Sequence, residues 1–255
     1  MKLRSLLLIG AFAFAGHAHS AVVNGADYGS DATYNGGWNN GTNGGTAGTF
    51  GAWILTSTGG SSGRFIGNST TLSPGNTGAD INTTGESFGM FGHSGQTSEA
   101  YRDFNGNTLG IGQTFSLNLA VNFRNGIKGF DLRNSADTVI FNFQTSGDDY
   151  LVQFATTGNG SIGNTYSSNT AFALSFTQTS GSGGTWSITR SGGVSDVDTG
   201  TYTGVAENFK LYEAFTTNGG IAQDNLYFNS LTVVPEPASA ALGLLGMLLI
   251  LRRRR

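Results

Sequence analysis

Few side chains in this 255-residue sequence are suited to acid–base catalysis near neutral pH. Two of the three histidines, His17 and His19, lie in an N-terminal segment that we expect to be removed, which leaves His93 as the candidate general base. Ser94 follows it directly, but adjacent residues of a strand point to opposite faces and do not easily pair. The sequence contains no G-x-S-x-G nucleophile motif. We therefore expect His93 to be a polar residue of a loop or of a strand end.

A glycosidase would need two carboxylates, held roughly 5 to 10 Å apart across the sugar bond. Asp196 and Asp198 stand two positions apart, a spacing that places both side chains on one face of a strand. They lie among Gly and Ser residues, so we interpret them as part of a solvated turn. Glu207 and Glu213 are too far apart in the sequence to share a face locally. A secreted polysaccharide-active enzyme stays an alternative, without assigned catalytic residues.

Acidic and amide side chains could also bind calcium, which takes oxygen ligands. Three short segments supply such oxygens, but none has the ordered spacing of an EF-hand loop. Because the chain has no cysteine, a Cys-ligated zinc site and a disulfide framework are excluded. We expect no cofactor and keep calcium as an alternative without a located site. Its candidate ligands are Asp148, Asp149, Asp196, Asp198, Asp224 and Asn225.

Sugar binding by a β-sandwich usually needs exposed aromatic rings beside amide or carboxylate groups. The rings that we expect to be exposed are those of Trp38, Trp53, Tyr101 and Tyr166, and asparagine is plentiful around them. Aromatic residues of β-proteins lie more often in the core, so this pattern is a weak indication of a glycan site.

The composition indicates a neutral surface of hydroxyl and amide groups. Charged residues make up only 11% of the chain, against about 25% in a typical soluble domain. Between residues 21 and 234 there are 15 acidic and 7 basic residues, which gives a net charge of 7 − 15 = −8. A body with this charge and no basic cluster is an unlikely partner of nucleic acid.

The pattern from about residue 50 to residue 234 alternates with period two. In "TFSLNLAVNFR", Phe115 to Phe123, every second residue is large and apolar, and the residues between them, Thr114 to Asn122, are mostly polar. Such alternation predicts strands with one face in the core and one in water. Gly, Asn, Asp and Ser clusters separate about ten to thirteen such runs. We predict an all-β fold, an antiparallel two-sheet sandwich of the jelly-roll kind, whose phenylalanines fill the space between the sheets.

The body, residues 22–233, has an irregular first part and scattered Thr-x-Thr pairs. Its first part, residues 22–48, is irregular, and we expect at most an edge strand there. Thr-x-Thr pairs occur without a fixed spacing, at residues 56–58, 177–179 and 199–203, so a threonine-ladder solenoid is disfavoured. These scattered pairs make ice binding a second alternative function.

The N-terminus has the three parts of a secretory signal peptide, which we place at residues 1–21. A positive start, Met1–Arg4, precedes the apolar run of residues 6–15. Small residues follow at Ala18, Ser20 and Ala21, and we expect cleavage near Ser20 or Ala21. The chain is therefore predicted to leave the cytoplasm by Sec-type export machinery.

The C-terminus, residues 234–255, has a different pattern. It starts with Val234, Pro235, Glu236 and Pro237. The two prolines have no backbone N–H donor, so this segment should end the fold. An apolar run, residues 238–251, follows; as a helix it would be about 21 Å long, short for a bilayer core of about 30 Å. Four terminal arginines favour an orientation with the body outside and the end inside. They are Arg252, Arg253, Arg254 and Arg255.

A Pro-Glu-Pro motif, a short apolar helix and a terminal arginine cluster, in this order, resemble the PEP-CTERM sorting signal of bacterial exported proteins. The resemblance implies a single short transmembrane helix in the inner membrane and recognition of residues 234–237 by an exosortase-type membrane protease. Cleavage would then release the body to the cell surface, the outer envelope or the extracellular matrix. The body is similar in pattern to concanavalin-like and laminin-G-like jelly rolls, in residues 100–134 and in the closing run "DNLYFNSLTV".

We therefore expect an exported, non-catalytic surface or matrix protein with an adhesive or glycan-binding body, whose partners include exopolysaccharide or other glycans. A polysaccharide-active enzyme and an ice-binding protein are the two alternatives.

Overall fold

Fifteen β-strands make up nearly all the regular structure in the described part of the chain. The computed structural model describes residues 21–71, 77–147, 149–154, 158–193, 195–214, 216 and 224–235. One short 3₁₀ helix, Ala32–Tyr34, accompanies the strands. The strands are β1 Gly25–Asp27, β2 Ile54–Ser57, β3 Ser62–Gly67, β4 Ser87–Gly92, β5 Thr97–Asp103, β6 Gln113–Val121, β7 Ile127–Arg133, β8 Val139–Ser146, β9 Asp149–Phe154, β10 Gly158–Ser161, β11 Ala171–Ser180, β12 Gly183–Ser191, β13 Asp196–Thr203, β14 Asn208–Ala214 and β15 Leu226–Pro235.

The strands form two antiparallel sheets, which confirms the predicted all-β sandwich. An eight-stranded sheet has the order β13-β12-β11-β6-β15-β4-β3, and β1 pairs with β15 beside this path. A seven-stranded sheet has the order β10-β9-β8-β7-β14-β5-β2. The strand number exceeds the predicted ten to thirteen because β1, β2 and β10 are only three or four residues long and too short to show alternation.

Phenylalanine fills the space between the sheets, as the alternation predicts. Phe115 of β6 and Phe209 of β14 come from opposite sheets, and their ring centroids lie 4.8 Å apart. Such ring pairs add stability beyond the burial of their area. The buried phenylalanines are Phe50, Phe88, Phe104, Phe115, Phe130, Phe141, Phe143, Phe172, Phe176, Phe209 and Phe228.

Asp196 and Asp198 lie in strand β13, so the prediction of a solvated turn is wrong for them. The turn is formed earlier, by Gly192 and Gly193, whose φ angles are +81° and +77°. The chain then pairs with β12 from Arg190 onward, opposite Asp196. The glycines correctly indicated a turn, but the polar residues that follow them belong to a strand and not to the turn.

A fully buried arginine, Arg102 of β5, organises the N-terminal part of the body. Its guanidinium pairs with Asp27 of β1 through Nη1. Its Nε donates to the carbonyl oxygen of Gly51 at 2.7 Å, and its Nη2 donates to Asn43 Oδ1 at 2.6 Å and to the Gly44 carbonyl at 3.1 Å. Four of the five guanidinium donors therefore have partners, as burial of this charge requires.

Trp38 and Trp53 belong to this buried region, so the prediction that they are exposed is wrong. Trp53 has no exposed surface, and the Arg102 guanidinium lies 4.7 Å from the centre of its ring. Its indole N–H donates to the Tyr34 hydroxyl at 3.0 Å. Trp38 packs against Trp53 with ring centroids 5.2 Å apart. A buried indole is stable here because its polar atom has a partner and its ring faces a cation.

The outer face of the eight-stranded sheet is partly covered as well. Ala120, at an outward position of β6 that the alternation assigned to water, is buried beside Ala79, Ile81 and Tyr227. Asn122 fixes the covering segment, since its Oδ1 accepts the Ala79 N–H at 3.2 Å. The alternation identified the outward position correctly, but a loop from a distant part of the chain covers it.

Strand β15 ends at Pro235, within the predicted sorting motif. Pro235 pairs with Gln113 of β6, and Val234 is 47% exposed. Residues 1–20 and 236–255, which hold most of the predicted signal peptide and tail, lie outside the described residues. Among the residues that are described, no helix is long and apolar enough to cross a membrane. The assignments at both ends stay predictions.

We predict that Arg102→Met lowers the free energy of unfolding by about 3 to 5 kcal/mol, because it leaves the Asp27 carboxylate buried without its cation. Urea denaturation followed by circular dichroism would measure the loss. Arg64→Met is the control, since the hydrogen bond from Arg64 Nε to the Trp38 carbonyl is long, at 3.4 Å. The double variant Asp27→Asn, Arg102→Met should regain part of the loss; an unchanged loss would contradict the explanation.

Candidate functional site

His93 lies immediately after β4 and is buried, which confirms the expectation of a strand-end residue. Its Nδ1 lies 2.7 Å from the Thr216 hydroxyl, and its ring stacks on Phe91 with centroids 5.5 Å apart. Burial lowers the pKa of the imidazole. Ser94 uses its backbone N–H to donate to the Thr216 carbonyl at 3.0 Å. These contacts give His93 a packing role at the end of the strand.

Lys128 and Glu213 form a fully buried pair on neighbouring strands β7 and β14. Their charged atoms, Nζ and Oε1, are 4.0 Å apart, and Glu213 Oε2 accepts the Leu226 N–H at 2.7 Å. The Lys128 ammonium also donates to the carbonyl oxygen of Asp224. Glu213 faces the interior in β14, whereas Glu207 precedes this strand, so the two glutamates do not form a common site.

Burial dominates the titration of this pair. It raises the pKa of Glu213 from the ordinary 4.5 to about 7 and lowers that of Lys128. The opposite charge of each partner favours the charged form of the other, but desolvation shifts both pKa values by more, in the other direction.

The calcium candidates do not assemble into one cluster. In the residues that the structure describes, no three His, Asp or Glu side chains are grouped so that they could hold a metal ion. Asp149 lies in β9 and accepts a hydrogen bond from the Ser161 hydroxyl at 3.1 Å. Asp224 and Asn225 are buried, with the Lys128 ammonium on the Asp224 carbonyl. Asp148 lies outside the described residues.

The outer faces of the two sheets differ in chemistry. The outward positions of β6, β11, β12 and β13 carry hydroxyl, amide and apolar groups and no charged side chain. The Thr114 and Thr177 hydroxyls on neighbouring strands are 2.7 Å apart. The register thus brings scattered threonine pairs onto one face. This hydroxyl face contains Thr114, Ser116, Ser175, Thr177, Thr185, Ser187, Thr199 and Thr201.

The outer face of the seven-stranded sheet, in contrast, groups charged and aromatic side chains on its central strands. Phe209 and Leu211 of β14 point into the core, so Lys210 and Tyr212 point outward. The pairing places polar residues of β5, β7 and β8 beside them. We call this group the Tyr212 patch; it consists of Glu99, Tyr101, Asp131, Arg133, Asn142, Lys210 and Tyr212.

The Tyr212 phenol lies across the neighbouring strand because Gly129 has no side chain. A Cβ at Gly129 would clash with the Phe143 carbonyl oxygen of β8, and it would also come within 2.7 Å of the Tyr212 hydroxyl oxygen and within 3.0 Å of its ring. The hydroxyl reaches one strand farther and accepts a hydrogen bond from Asn142 Nδ2 at 2.7 Å. Burial raises the pKa of Tyr212 above its ordinary value. The phenol is thus a neutral ring held along the sheet surface.

Hydrogen-bonding groups flank the ring on the β7 and β8 side. Asn142 Nδ2 also donates to Asp131 Oδ1 at 2.7 Å. The other carboxylate oxygen of Asp131 accepts from Arg133 Nη2 at 2.8 Å. Arg133 in turn pairs with Asp137 at 2.9 Å. These bonds fix the orientation of the amide and of the guanidinium.

Lys210 is the cross-strand partner of Asp131 and continues this row of polar groups. Its ammonium lies 2.9 Å from Glu99 Oε1, 3.8 Å from Asp131 Oδ2 and 5.5 Å from the centre of the Tyr212 ring. Tyr101 is the direct neighbour of Lys210 on β5 and is partly exposed. The patch therefore contains two cations and two anions around its aromatic residues.

Of the four aromatic residues selected from the sequence, only Tyr101 belongs to this patch. Trp38 and Trp53 are in the core, and Tyr166, 41% exposed, bonds through its hydroxyl to the Asn122 carbonyl. Sequence reasoning missed Tyr212, although Lys210 and Tyr212 alternate with the inward residues Phe209 and Leu211, as outward positions of a strand do. Its contact with Gly129 depends on the pairing of β14 with β7, which the sequence pattern did not predict.

Comparisons with known proteins give distant similarities only. No protein-family model matches the chain, and no curated protein matches it significantly. A galectin of Caenorhabditis elegans, LEC-6, is 15% identical with a TM-score of 0.33, over 49% of this chain and 83% of the galectin. An alginate lyase from Corynebacterium sp. is 14% identical with a TM-score of 0.38, over 84% of this chain and 94% of the lyase.

A third similar structure is the CBM2 module of the evolved Dit protein of Lactobacillus casei BL23 phage J-1. It is 10% identical with a TM-score of 0.39, over 84% of this chain and 98% of the module.

We predict that the stability of the protein falls as the pH rises from about 4.5 to about 7, because Glu213 binds its proton more tightly in the folded than in the unfolded state. Glu213→Gln should reduce the loss of unfolding free energy between pH 4.5 and pH 7 by on the order of 1 to 3 kcal/mol. Denaturation midpoints at a series of pH values would show it. Glu207→Gln, outside the buried pair, is the control; an equal slope in the Glu213 variant and the wild type would refute the assignment.

Proposed function

We propose that the body is a non-catalytic glycan-binding domain and that the Tyr212 patch holds the sugar. The observation that carries this proposal is the phenol ring of Tyr212, which the glycine at position 129 allows to lie along the sheet. A pyranose ring has an apolar C–H face and polar edges. An aromatic ring with fixed donors and acceptors beside it complements both parts.

The polar groups of the patch suit the hydroxyls of a sugar. Arg133, Lys210 and Glu99 reach the surface. Asp131 and Asn142 are buried and hold Arg133 and the Tyr212 hydroxyl in place, which reduces the entropy lost on binding. Lys210 and Glu99 supply a further donor and acceptor beside the ring.

The charges favour a neutral glycan. Two cations and two anions cancel within the patch, and the body as a whole, residues 21–234, carries a net charge of 7 − 15 = −8. A polyanionic chain would be repelled by this body at a distance.

An enzyme that acts on polysaccharide is the second candidate, because the patch does contain two carboxylates. Glu99 and Asp131 both lie within 4 Å of the same Lys210 ammonium. A hydrolase would need one carboxyl group to give up a proton and the other to act on the opposite side of the bond. Because Glu99 and Asp131 both pair with Lys210, the two carboxylates are held in place, which suits a binding role better than proton transfer.

We predict that Tyr212→Ala lowers the affinity for a bound neutral glycan by about tenfold or more, which corresponds to about 1.4 kcal/mol. A glycan array would identify the glycan and calorimetry would measure the affinity. Tyr212→Phe keeps the ring and should lose less. Thr185→Ala, on the hydroxyl face of the other sheet, is the control.

Three results would contradict the proposal. If the wild-type protein binds no glycan on the array, the domain is not a lectin. If Thr185→Ala rather than Tyr212→Ala weakens binding, the glycan lies on the hydroxyl face. If the protein cleaves a polysaccharide and Glu99→Gln abolishes the cleavage, it is an enzyme.

The proposal includes export and sorting. Residues 1–21 would direct Sec-type export, and the tail from Val234 to Arg255 would be held in the inner membrane and recognised at residues 234–237 by an exosortase-type protease. The observation that supports it is the end of β15 at Pro235, so that Val234 and Pro235, the first two residues of the predicted motif, are the last described residues of the body. The body would then reach the cell surface, outer envelope or extracellular matrix.

We predict that the exported protein lacks its C-terminal arginines. Mass spectrometry of the extracellular form should detect a new C-terminus near residues 235–237. A variant with Pro235→Ala and Pro237→Ala should keep the tail and stay with the membrane fraction. Detection of Arg255 in the extracellular wild-type protein would refute processing at this motif.

A further inference from the structure

One end of the sandwich carries an apolar group of exposed side chains. Val23 is 51% exposed, Ile111 70% and Val234 47%. They belong to three separate segments: the N-terminal stretch before β1, the turn before β6, and the last residues of β15. Exposed apolar residues that occur singly need no explanation, but a group at one end of a domain does. We call the three residues the apolar end.

A buried glutamine holds these three segments together. Gln113 Nε2 donates to the Val22 carbonyl at 2.7 Å and to Asn24 Oδ1 at 3.1 Å, on either side of Val23. Its Oε1 accepts the Gly110 N–H at 2.8 Å and so fixes the turn that contains Ile111. In β15, its pairing partner is Pro235, the neighbour of Val234. The apolar end is therefore a defined part of the fold.

Both chain ends leave the body at this place. Ala21 forms a bridge with Thr108, three residues before Ile111. Pro235 ends β15, and the apolar run of residues 238–251 starts three residues later. Three extended residues span only about 10 Å. If residues 238–251 are in a bilayer, the apolar end lies close to its surface.

The charge distribution fits such a surface. Residues 21–25, 108–114, 178–183 and 231–235, which meet at this end, contain no Asp, Glu, Lys or Arg, although Glu207 adjoins them, since the Ala206 carbonyl accepts the Leu109 N–H at 2.8 Å, and Glu236 follows Pro235 in the sequence. The Gly112 N–H donates to the Gln178 carbonyl at 2.8 Å, which joins residues 108–114 to residues 178–183. An acidic body would be repelled by anionic lipid, so the end whose exposed side chains are apolar is the part that can approach it.

We infer that the apolar end rests on the phospholipid surface while the tail is inserted, with Ile111 at the boundary of head groups and acyl chains. This inference rests on the proposed membrane insertion of the tail. Partial insertion of a few apolar side chains is a weak interaction alone, but the adjacent tail keeps the end at a high local concentration. The contact would also fix the orientation of the body and of the residues that the protease must reach.

The experiment uses the exported protein with an uncut tail, from a host without the tail-cutting protease. Because the chain has no cysteine, single variants can carry a fluorescent label at one position. Ile111→Cys and Val23→Cys place the label at the apolar end. Val197→Cys, at a 59% exposed apolar residue of edge strand β13, is the matched control. Quenching by nitroxide lipids in phosphatidylethanolamine and phosphatidylglycerol vesicles is then measured.

We expect quenching at positions 111 and 23 to be several-fold stronger than at position 197. Flotation of the protein with the vesicles tests the tail separately. Flotation with equally weak quenching at all three positions would overturn the inference and leave the tail proposal intact, whereas no flotation would overturn both. A label that is shielded from water but not quenched by lipid would show that a second copy covers this end, which also overturns the inference.

Discussion

The buried charge of Arg102 is the constraint on which the N-terminal third of the body depends. A guanidinium without exposed surface is stable only if its donors are satisfied, and Asp27, Asn43 and the carbonyls of Gly44 and Gly51 satisfy four of them. All four partners come from a glycine-rich segment with little regular structure of its own. The ion pair thus ties β1, which pairs with β15 in one sheet, to β5 of the other sheet, and the guanidinium lies 4.7 Å from the centre of the buried Trp53 ring. Residues 22–48 are ordered despite their irregular composition because the Arg102 guanidinium bonds to Asp27, Asn43 and the Gly44 carbonyl within this segment.

The sandwich separates two surface chemistries. Apolar residues occupy the inward positions of both sheets, so function has to arise at the outward positions or at the ends. The eight-stranded sheet presents hydroxyls without charge, whereas the seven-stranded sheet presents the Tyr212 patch, whose ion pairs are fixed by neighbouring strands. A single glycine, Gly129, makes the difference at the centre of the patch, because any larger side chain would displace the Tyr212 ring. The proposed glycan site and the proposed membrane contact lie on different parts of the body, a sheet face and a sheet end. With the apolar end at a bilayer, the Tyr212 patch would stay free of that contact.

The sequence by itself determined the fold class and most of the core. Period-two alternation predicted antiparallel strands and placed the phenylalanines inside, since side chains of a strand alternate strictly between two faces. It also separated the body from two terminal segments with their own patterns. It did not locate the site: Trp38 and Trp53 were assigned to the surface, and Asp196 and Asp198 to a turn. The alternation assigned Ala120 to water, but Ala79 and Ile81 cover it.

Only the tertiary structure decided which outward residues meet. Lys210 and Tyr212 are outward by alternation, but their approach to Glu99, Asp131 and Asn142 requires the order β8-β7-β14-β5, which joins strands far apart in the chain. Gly129 lies opposite Tyr212 because of the register between β7 and β14, and a shift of one residue would turn every side chain to the other face. Gln113 likewise unites Val23, Ile111 and Val234 only after β1, β6 and β15 have paired. Periodicity is a local property and so fixes the face of each residue, whereas the neighbours on that face depend on long-range pairing.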